Sequence, residues 1–386
     1  MNPVPVPHRL HMPTSEIGSP YNFTAQKAHD HLERAHDLAA EQLQAYAGYP
    51  EFQAEILAEA VSDVRFSDEV DAATVRIGSF VTRSNLYEYS GLTIKDETEQ
   101  LTKAYKIRGA ANFILKNVER ADYTKVVTGS AGNHGQAVAL VASSLGLTAI
   151  VVVPRGAPKT KIDAIKAHGG EVFVFGADYT ESTVKALELN ELYGGIYVPA
   201  FNHFDTMAGQ GTVAKEFLDQ KPDMTNLIVP TGGGGLLAAC AKYCAVNAPQ
   251  IKVFGAGVRD GSSVETAFKH GNHKQTTPNK FADGIAVRQL GSLTWPEVKR
   301  HARGALTADE LSVRQTIGEL SLRGHDLEGA GAVGIAAALA HRQSLSGPTA
   351  VIATGGNIDP SELAKCVAVV KPETEPLTKT VQFSIM

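Results

Sequence analysis

The stretch Asn226-Leu227-Ile228-Val229-Pro230-Thr231-Gly232-Gly233-Gly234-Gly235-Leu236 decides how this chain is read. An apolar run suited to a buried strand ends at Pro230, four glycines follow, and a helical pattern starts at Leu236 and runs to Val246. Glycine lets the backbone take conformations that a Cβ forbids. Successive N–H groups can then converge on one anion at the positive end of a helix. A phosphate is held this way without a cationic side chain. A plain strand-to-helix turn is the alternative, but such a turn needs only one or two glycines. No Gly-Lys-Ser/Thr follows, so the loop is not a Walker loop.

The chain of 386 residues carries a formal net charge of −5, 43% hydrophobic and 20% charged residues. Such a composition suits a globular protein with room for two lobes. The charge balance gives no reason to expect nucleic acid or an anionic membrane surface as partner. Three cysteines without metal-site spacing point to a reducing compartment. Cys240 and Cys244 read as a buried helix face. Residues 1–18 hold no apolar run of the signal-peptide kind, and no stretch is long enough to span a bilayer. A cytoplasmic location is expected.

Residues 1–20 read as loosely structured. From Thr24, apolar residues at three- and four-residue steps (Ala28, Leu32, Ala35, Ala39, Leu43, Tyr46) predict a helix. His29, His31 and His36 decorate it, without the carboxylate or cysteine that would complete a metal set. After Pro50 a second helix carries Phe52, Ile56, Ala60 and Val64. The pair fits either an extra layer or an oligomer contact. Beyond residue 75, short apolar runs alternate with helical patterns. Candidate strands are residues 92–95, 125–128, 149–153, 171–175, 196–200, 226–230, 251–256 and 349–354. Their near-continuous apolar character predicts parallel strands covered on both faces, in an open α/β sheet that binds ligands where strands end and helices begin. Helical segments between them include residues 135–145, 160–168 and 212–218.

Four loops at such junctions carry polar chemistry. They are Thr102 to Ala110 around Lys106, Thr128 to Gly135 (Thr-Gly-Ser-Ala-Gly-Asn-His-Gly), the tetraglycine loop, and Ala353 to Asp359 (Ala-Thr-Gly-Gly-Asn-Ile-Asp). Each alone has a bland reading as a surface lysine, a helix cap or a turn. Together they supply an amine for an aldehyde, a cradle for a phosphate and a hydroxyl for a ring nitrogen, the set that pyridoxal phosphate requires.

On these residues the chain resembles the fold-type II pyridoxal-phosphate enzymes, within them the serine/threonine ammonia-lyases (threonine dehydratases) and serine racemases. The resemblance spans roughly residues 86–359. It includes Val153-Pro154 with Ala157-Pro158-Lys159, Ala208-Gly209-Gln210-Gly211-Thr212, Phe281-Ala282-Asp283-Gly284 and Glu328-Gly329-Ala330-Gly331-Ala332. It implies a two-lobed fold with open, mostly parallel sheets. Residues 76–124 and 202–370 would form the large cofactor-binding domain and 125–201 the small one, with a helical extension at 1–75 and a tail at 371–386.

By resemblance, Lys106 would bond the cofactor aldehyde and move the α-proton, with Tyr105 packing near the ring. Gly232, Gly233, Gly234, Gly235 and Leu236 would hold its phosphate. Asn133 would meet the ring hydroxyl and Thr354 the ring nitrogen. Ser130, Gly132, Asn133 and His134 would receive the substrate carboxylate. The implied reaction is α,β-elimination of a β-hydroxy amino acid such as L-threonine or L-serine, giving a 2-oxo acid and ammonia, in a homodimer. Racemases of this kind carry a serine where this chain has Ala131, so elimination is expected over racemisation. β-Replacement, or elimination of another β-substituent, is the alternative.

The chain departs from the pattern in places. Thr-Pro-Leu is missing near Thr74-Val75-Arg76-Ile77, and Lys103-Ala104-Tyr105-Lys106 stands where Gly-Ser-Phe-Lys is usual. Gly257-Val258-Arg259-Asp260 lacks the glutamate of metal-binding relatives, so no metal is expected. No regulatory domain is expected after residue 370. Gly329-Ala330-Gly331-Ala332-Val333-Gly334 fits a dinucleotide fingerprint, but polar residues 323–328 precede it where that motif requires an apolar strand.

Overall fold

The computed structural model describes residues 25–45, 50–118 and 123–370. The expectations for residues 1–20, for Tyr46 and for the tail from 371 lie outside them. Among the described residues the strands are Leu86–Tyr89 (β1), Leu92–Asp96 (β2), Lys125–Gly129 (β3), Thr148–Val153 (β4), Gly170–Val174 (β5), Ile196–Tyr197 (β6), Asn226–Pro230 (β7), Lys252–Val258 (β8), Gly304–Ala308 (β9) and Thr349–Ala353 (β10).

They form a six-stranded sheet, β1-β2-β10-β7-β8-β9, and a four-stranded sheet, β5-β4-β3-β6. Every pairing is parallel except β1 with β2. Every residue of β7 and β10 is buried, because helices cover both faces of these central strands. The α/β reading of the sequence therefore holds.

Two strands escaped that reading. β1 is the antiparallel edge, and its Leu-Tyr-Glu-Tyr is only half apolar. β9, Gly-Ala-Leu-Thr-Ala, has weak intrinsic strand preference and forms by pairing along β8. β6 is shorter than predicted. The Val198 N–H still donates to Val127 O at 2.8 Å, but Pro199 has no N–H to continue the ladder.

The helix expected to begin at Thr212 runs from Phe204 to Gln220 instead. Its glycines are contact points rather than breakers. A Cβ on Gly209 would lie 2.5 Å from Arg108 O, so the helix Lys106–Val118 crosses there in close contact. Glycine also explains the false dinucleotide fingerprint. Residues 329–334 open the helix Gly329–Ala340, and a Cβ on Gly331 would strike the Gly355 carbonyl.

The N-terminal helices form an extra layer. Ala35 and Ala39 of Ala25–Ala45 pack with Ala60 and Val64 of Pro50–Arg76. Phe66 and Val70 of the second helix then enter the core shared by Phe217 and Leu237. Polar contacts reinforce the seam. Tyr243 donates to Asp71 at 2.9 Å and Asn247 to Ser67 at 2.8 Å. His31 is paired with Asp68 at 2.6 Å.

Candidate active site

The ends of β3, β7 and β10 open on one cavity of about 400 Å³. Tyr105, Lys106, Ser130, Gly132, Asn133, His134, Gly232, Gly233, Gly234, Gly235, Leu236 and Thr354 all line it. Every candidate residue is thus brought together, from four loops distant in sequence.

The glycine loop leaves β7 and turns at Gly234, φ 89°, into the helix Gly235–Asn247. Its carbonyls face away from the cavity onto protein donors. Thr294 Oγ1 donates to Gly233 O at 2.6 Å, and Ser263 Oγ to Gly232 O at 2.8 Å. A Cβ on Gly233 would lie 2.5 Å from the Phe201 ring, so only glycine lets the loop seat there. The N–H groups of Gly232, Gly233, Gly234, Gly235 and Leu236 donate to no acceptor among the described residues. Unpaired amides at a helix start are an anion site.

Lys106 is the first residue of Lys106–Val118. The loop before it is tied to the end of β10. The Tyr105 N–H donates to Thr354 O at 3.1 Å and the Gly356 N–H to Lys103 O at 2.9 Å. Lys106 Nζ donates to Ala200 O at 2.9 Å and has no carboxylate partner among the described residues. Burial alone lowers the amine from 10.5 to about 8. Lys161 also reaches the cavity, but it is paired with Asp283. Burial raises the Tyr105 phenol, whose ring lies 5.3 Å from Lys106 Nζ.

Asn133 begins the helix Asn133–Ser144. Its amide is clamped from two sides: Nδ2 donates to Glu328 Oε1 at 2.6 Å, and Oδ1 accepts from Asn357 at 2.8 Å. The N–H groups of Asn133, His134 and Gly135 have no acceptor among the described residues and form a second anion-receiving helix start. Ser130 Oγ accepts from the Gly132 N–H at 3.3 Å. The His134 ring is turned away: Nε2 donates to Val198 O at 3.0 Å. Burial, with the charge of Lys106, pushes it down to about 3, so it stays neutral. What His134 offers an anion is therefore its backbone N–H. Thr354 Oγ1, buried at the end of β10, donates to Ala330 O at 3.0 Å.

Sequence reasoning gave no role to Glu328, Phe201 or the Lys161–Asp283 pair. Glu328 stood in a quoted motif, but nothing local shows that its carboxyl meets Asn133. Burial, then the nearby Asp283, raise it from 4.5 to about 7.

The donor set fits pyridoxal phosphate. Among the described residues, five free amides match a phosphate and an amine without an ion-pair partner matches an aldehyde, while the uncharged Thr354 hydroxyl would have to turn from Ala330 O to donate to the ring nitrogen. A model of the pyridoxal-phosphate dependent enzyme family matches residues 53–355. The L-threonine ammonia-lyase of Geobacter sulfurreducens is 36% identical over 301 residues, 77% of this chain and 74% of that protein. The L-threonine ammonia-lyase of Thermotoga maritima is 35% identical over 280 residues, 72% and 70% of the two chains. Among solved structures, the processed form of threonine deaminase isoform 2 from Solanum lycopersicum superimposes with a TM-score of 0.75 at 31% identity, over 80% of this chain and 88% of that one. Maize serine racemase does so with a TM-score of 0.72 at 29% identity, over 78% and 96%. With its amide cradle, its unpaired lysine and a family match across most of its length, the chain belongs to the pyridoxal-phosphate dependent enzymes.

Proposed function

We propose that this enzyme removes the β-hydroxyl and the amino group from a small, neutral β-hydroxy amino acid, threonine or serine, to give a 2-oxo acid and ammonia. The observation that carries this reading is Lys106. It is an amine lowered by burial, without an ion pair among the described residues, in one cavity with a run of unpaired backbone amides. Its relatives named L-threonine ammonia-lyase support the substrate class.

Bound pyridoxal phosphate supplies the electron sink next to the substrate α-carbon. Gly232 to Leu236 would hold its phosphate, Asn133 its ring hydroxyl and Thr354 its ring nitrogen. Lys106, lowered by burial to about 8, would bond the cofactor aldehyde and, as a free amine, would hold the α-proton. The amides of Asn133 and His134, with the Ser130 hydroxyl, would receive the substrate carboxylate. Ala157, Pro158 and Ala286 give the cavity a small, uncharged wall. Lys161 is occupied by Asp283, which leaves no cationic side chain for a second carboxylate and favours a neutral β-substituent. Ala131 also lines the cavity, and its methyl cannot move a proton, which favours elimination over racemisation.

The reading extends to the lobes, the assembly and the location. Residues 76–124 with 202–370, and 125–201, would act as a large and a small domain around the site, in a homodimer. Three free, buried cysteines support a reducing, cytoplasmic setting. Among the described residues no helix is long and apolar enough to cross a membrane.

The test is incubation of holoenzyme with threonine, serine and other β-substituted amino acids, scoring 2-oxo acid and ammonia. Release from threonine or serine alone is expected. Product formed only when a thiol or amine is added would replace elimination with β-replacement, and no product from any substrate would overturn both.

A further inference from the structure

A second cluster of chemistry lies behind the glycine cradle, on helices the reaction does not use. The helix Thr294–His301 starts at Thr294, which holds the Gly233 carbonyl, and ends at His301. There His301 Nε2 lies 3.4 Å from Asp63 Oδ1 and 3.3 Å from Glu297 Oε2. Asp63 comes from Pro50–Arg76 in the N-terminal layer. The side chains of Asp63 and His301 are 3% and 7% exposed. Asp63 Oδ1, Glu297 Oε2 and His301 Nε2 are buried, lie near one another and have no well-formed hydrogen bond among the described residues.

The spacing leaves room for an ion. A closed carboxylate–imidazolium hydrogen bond measures about 2.7–2.9 Å. The observed contacts are longer, 3.3 and 3.4 Å, and the three atoms lie within 4.8 Å of one another, compatible with ligand atoms about an ion with bonds of about 2.0–2.1 Å. The outer carboxylate oxygens are already committed. Arg300 donates to Asp63 Oδ2 at 2.6 Å and Lys242 to Glu297 Oε1 at 2.8 Å. Such outer contacts orient ligating carboxylates and leave the inner oxygens turned toward His301.

We propose that Asp63, Glu297 and His301 bind one divalent transition-metal ion of the zinc class, which staples the N-terminal layer to the helix that anchors the phosphate cradle. This site is separate from Gly257–Asp260, where the missing glutamate gave the expectation of no metal. Its ligands come from distant parts of the chain, and only the i,i+4 pair Glu297 and His301 carries a local sign. Lys242 Nζ also lies 3.3 Å from Asp63 Oδ1, and its charge opposes that of the ion, so the site is weak enough to exchange. Glu59, paired with Arg300, offsets part of that charge. A proton is the natural competitor. Affinity therefore falls as pH falls.

The proposal is independent of the reaction and is tested by binding. Chelator-treated holoenzyme is titrated calorimetrically with Zn²⁺, and separately with Co²⁺ while its visible d–d bands are followed. Wild type is compared with His301→Gln and Asp63→Asn, each checked for native circular dichroism and cofactor absorbance. One ion per chain, intense four-coordinate Co²⁺ bands, and at least a tenfold loss of affinity in both variants are expected. Absence of binding, or binding that survives both substitutions as an adventitious ion only, overturns the proposal. A wild-type His301 that titrates unchanged in the presence of Zn²⁺ overturns it too, showing a protonated histidine in an ion-pair network. If both variants fail to fold, that wild-type titration decides alone.

Discussion

Glu328 Oε1 accepts a hydrogen bond from Asn133 Nδ2 at 2.6 Å, joining the loop before the helix Gly329–Ala340 to the start of the helix Asn133–Ser144. The carboxyl is 6% exposed and raised from 4.5 to about 7. Its neutral form is thus favoured in the folded chain. The stability it contributes to the cofactor-free protein is full below pH 4.5 and is lost as pH rises through about 7. A shift of this size corresponds to about 3 kcal/mol. Glu328→Gln, which can still accept from Asn133, should remove this slope. Urea denaturation of cofactor-free wild type and variant at pH 5 and pH 8 checks it: the variant's advantage should appear only at the higher pH.

In the proposed role of Lys106, covalent capture of the cofactor would need its neutral amine. With the amine lowered to about 8, the capture rate should be nearly flat above that pH. It should fall about tenfold per unit below it. Stopped-flow absorbance after adding pyridoxal phosphate to cofactor-free protein measures this. A profile still rising through pH 10 would mean an ordinary exposed lysine.

Gly233→Ala puts a methyl against the Phe201 ring. Overpacking of this kind costs about 1–3 kcal/mol, and here it displaces the amides that would grip the phosphate. Cofactor affinity should fall at least tenfold, read by fluorescence titration. Gly132 has open space where its Cβ would be, so Gly132→Ala should leave folding stability within about 1 kcal/mol of wild type.

Two residues after the lysine, Arg108 is fully buried in a bidentate pair with Glu97, at 2.7 and 2.8 Å, and reaches Glu216 as well. Removing Glu97 leaves Arg108 with Glu216 alone, so its buried charge is only partly compensated. Glu97→Ala should destabilise the protein by about 3–5 kcal/mol, seen as a lower denaturation midpoint at unchanged slope.

Most of the site was legible because its chemistry sits in contiguous loops. Four glycines, a polar Gly-Asn-His turn and a lysine each announce themselves locally, and apolar runs such as Asn226–Pro230 announce buried parallel strands. What stayed hidden depends on meetings across the chain. Glu328 meets Asn133, Phe201 meets Gly233, and β9 exists through β8. None of these leaves a period or a spacing in the sequence. The substitution of Lys103 for a usual glycine has a visible consequence: Lys103 sits at φ 54°, in the left-handed region where glycine is cheaper.

We propose that Lys106 alone bonds the cofactor aldehyde while the backbone amides of Gly232 to Leu236 hold its phosphate. The decisive experiment is borohydride reduction of the holoenzyme, digestion and mapping of the adduct by mass spectrometry. One phosphopyridoxyl group is expected, on the peptide that contains Lys106, and none in Lys106→Ala. An adduct on Lys161 or any other lysine, or a protein that stays colourless after soaking in pyridoxal phosphate, would contradict it.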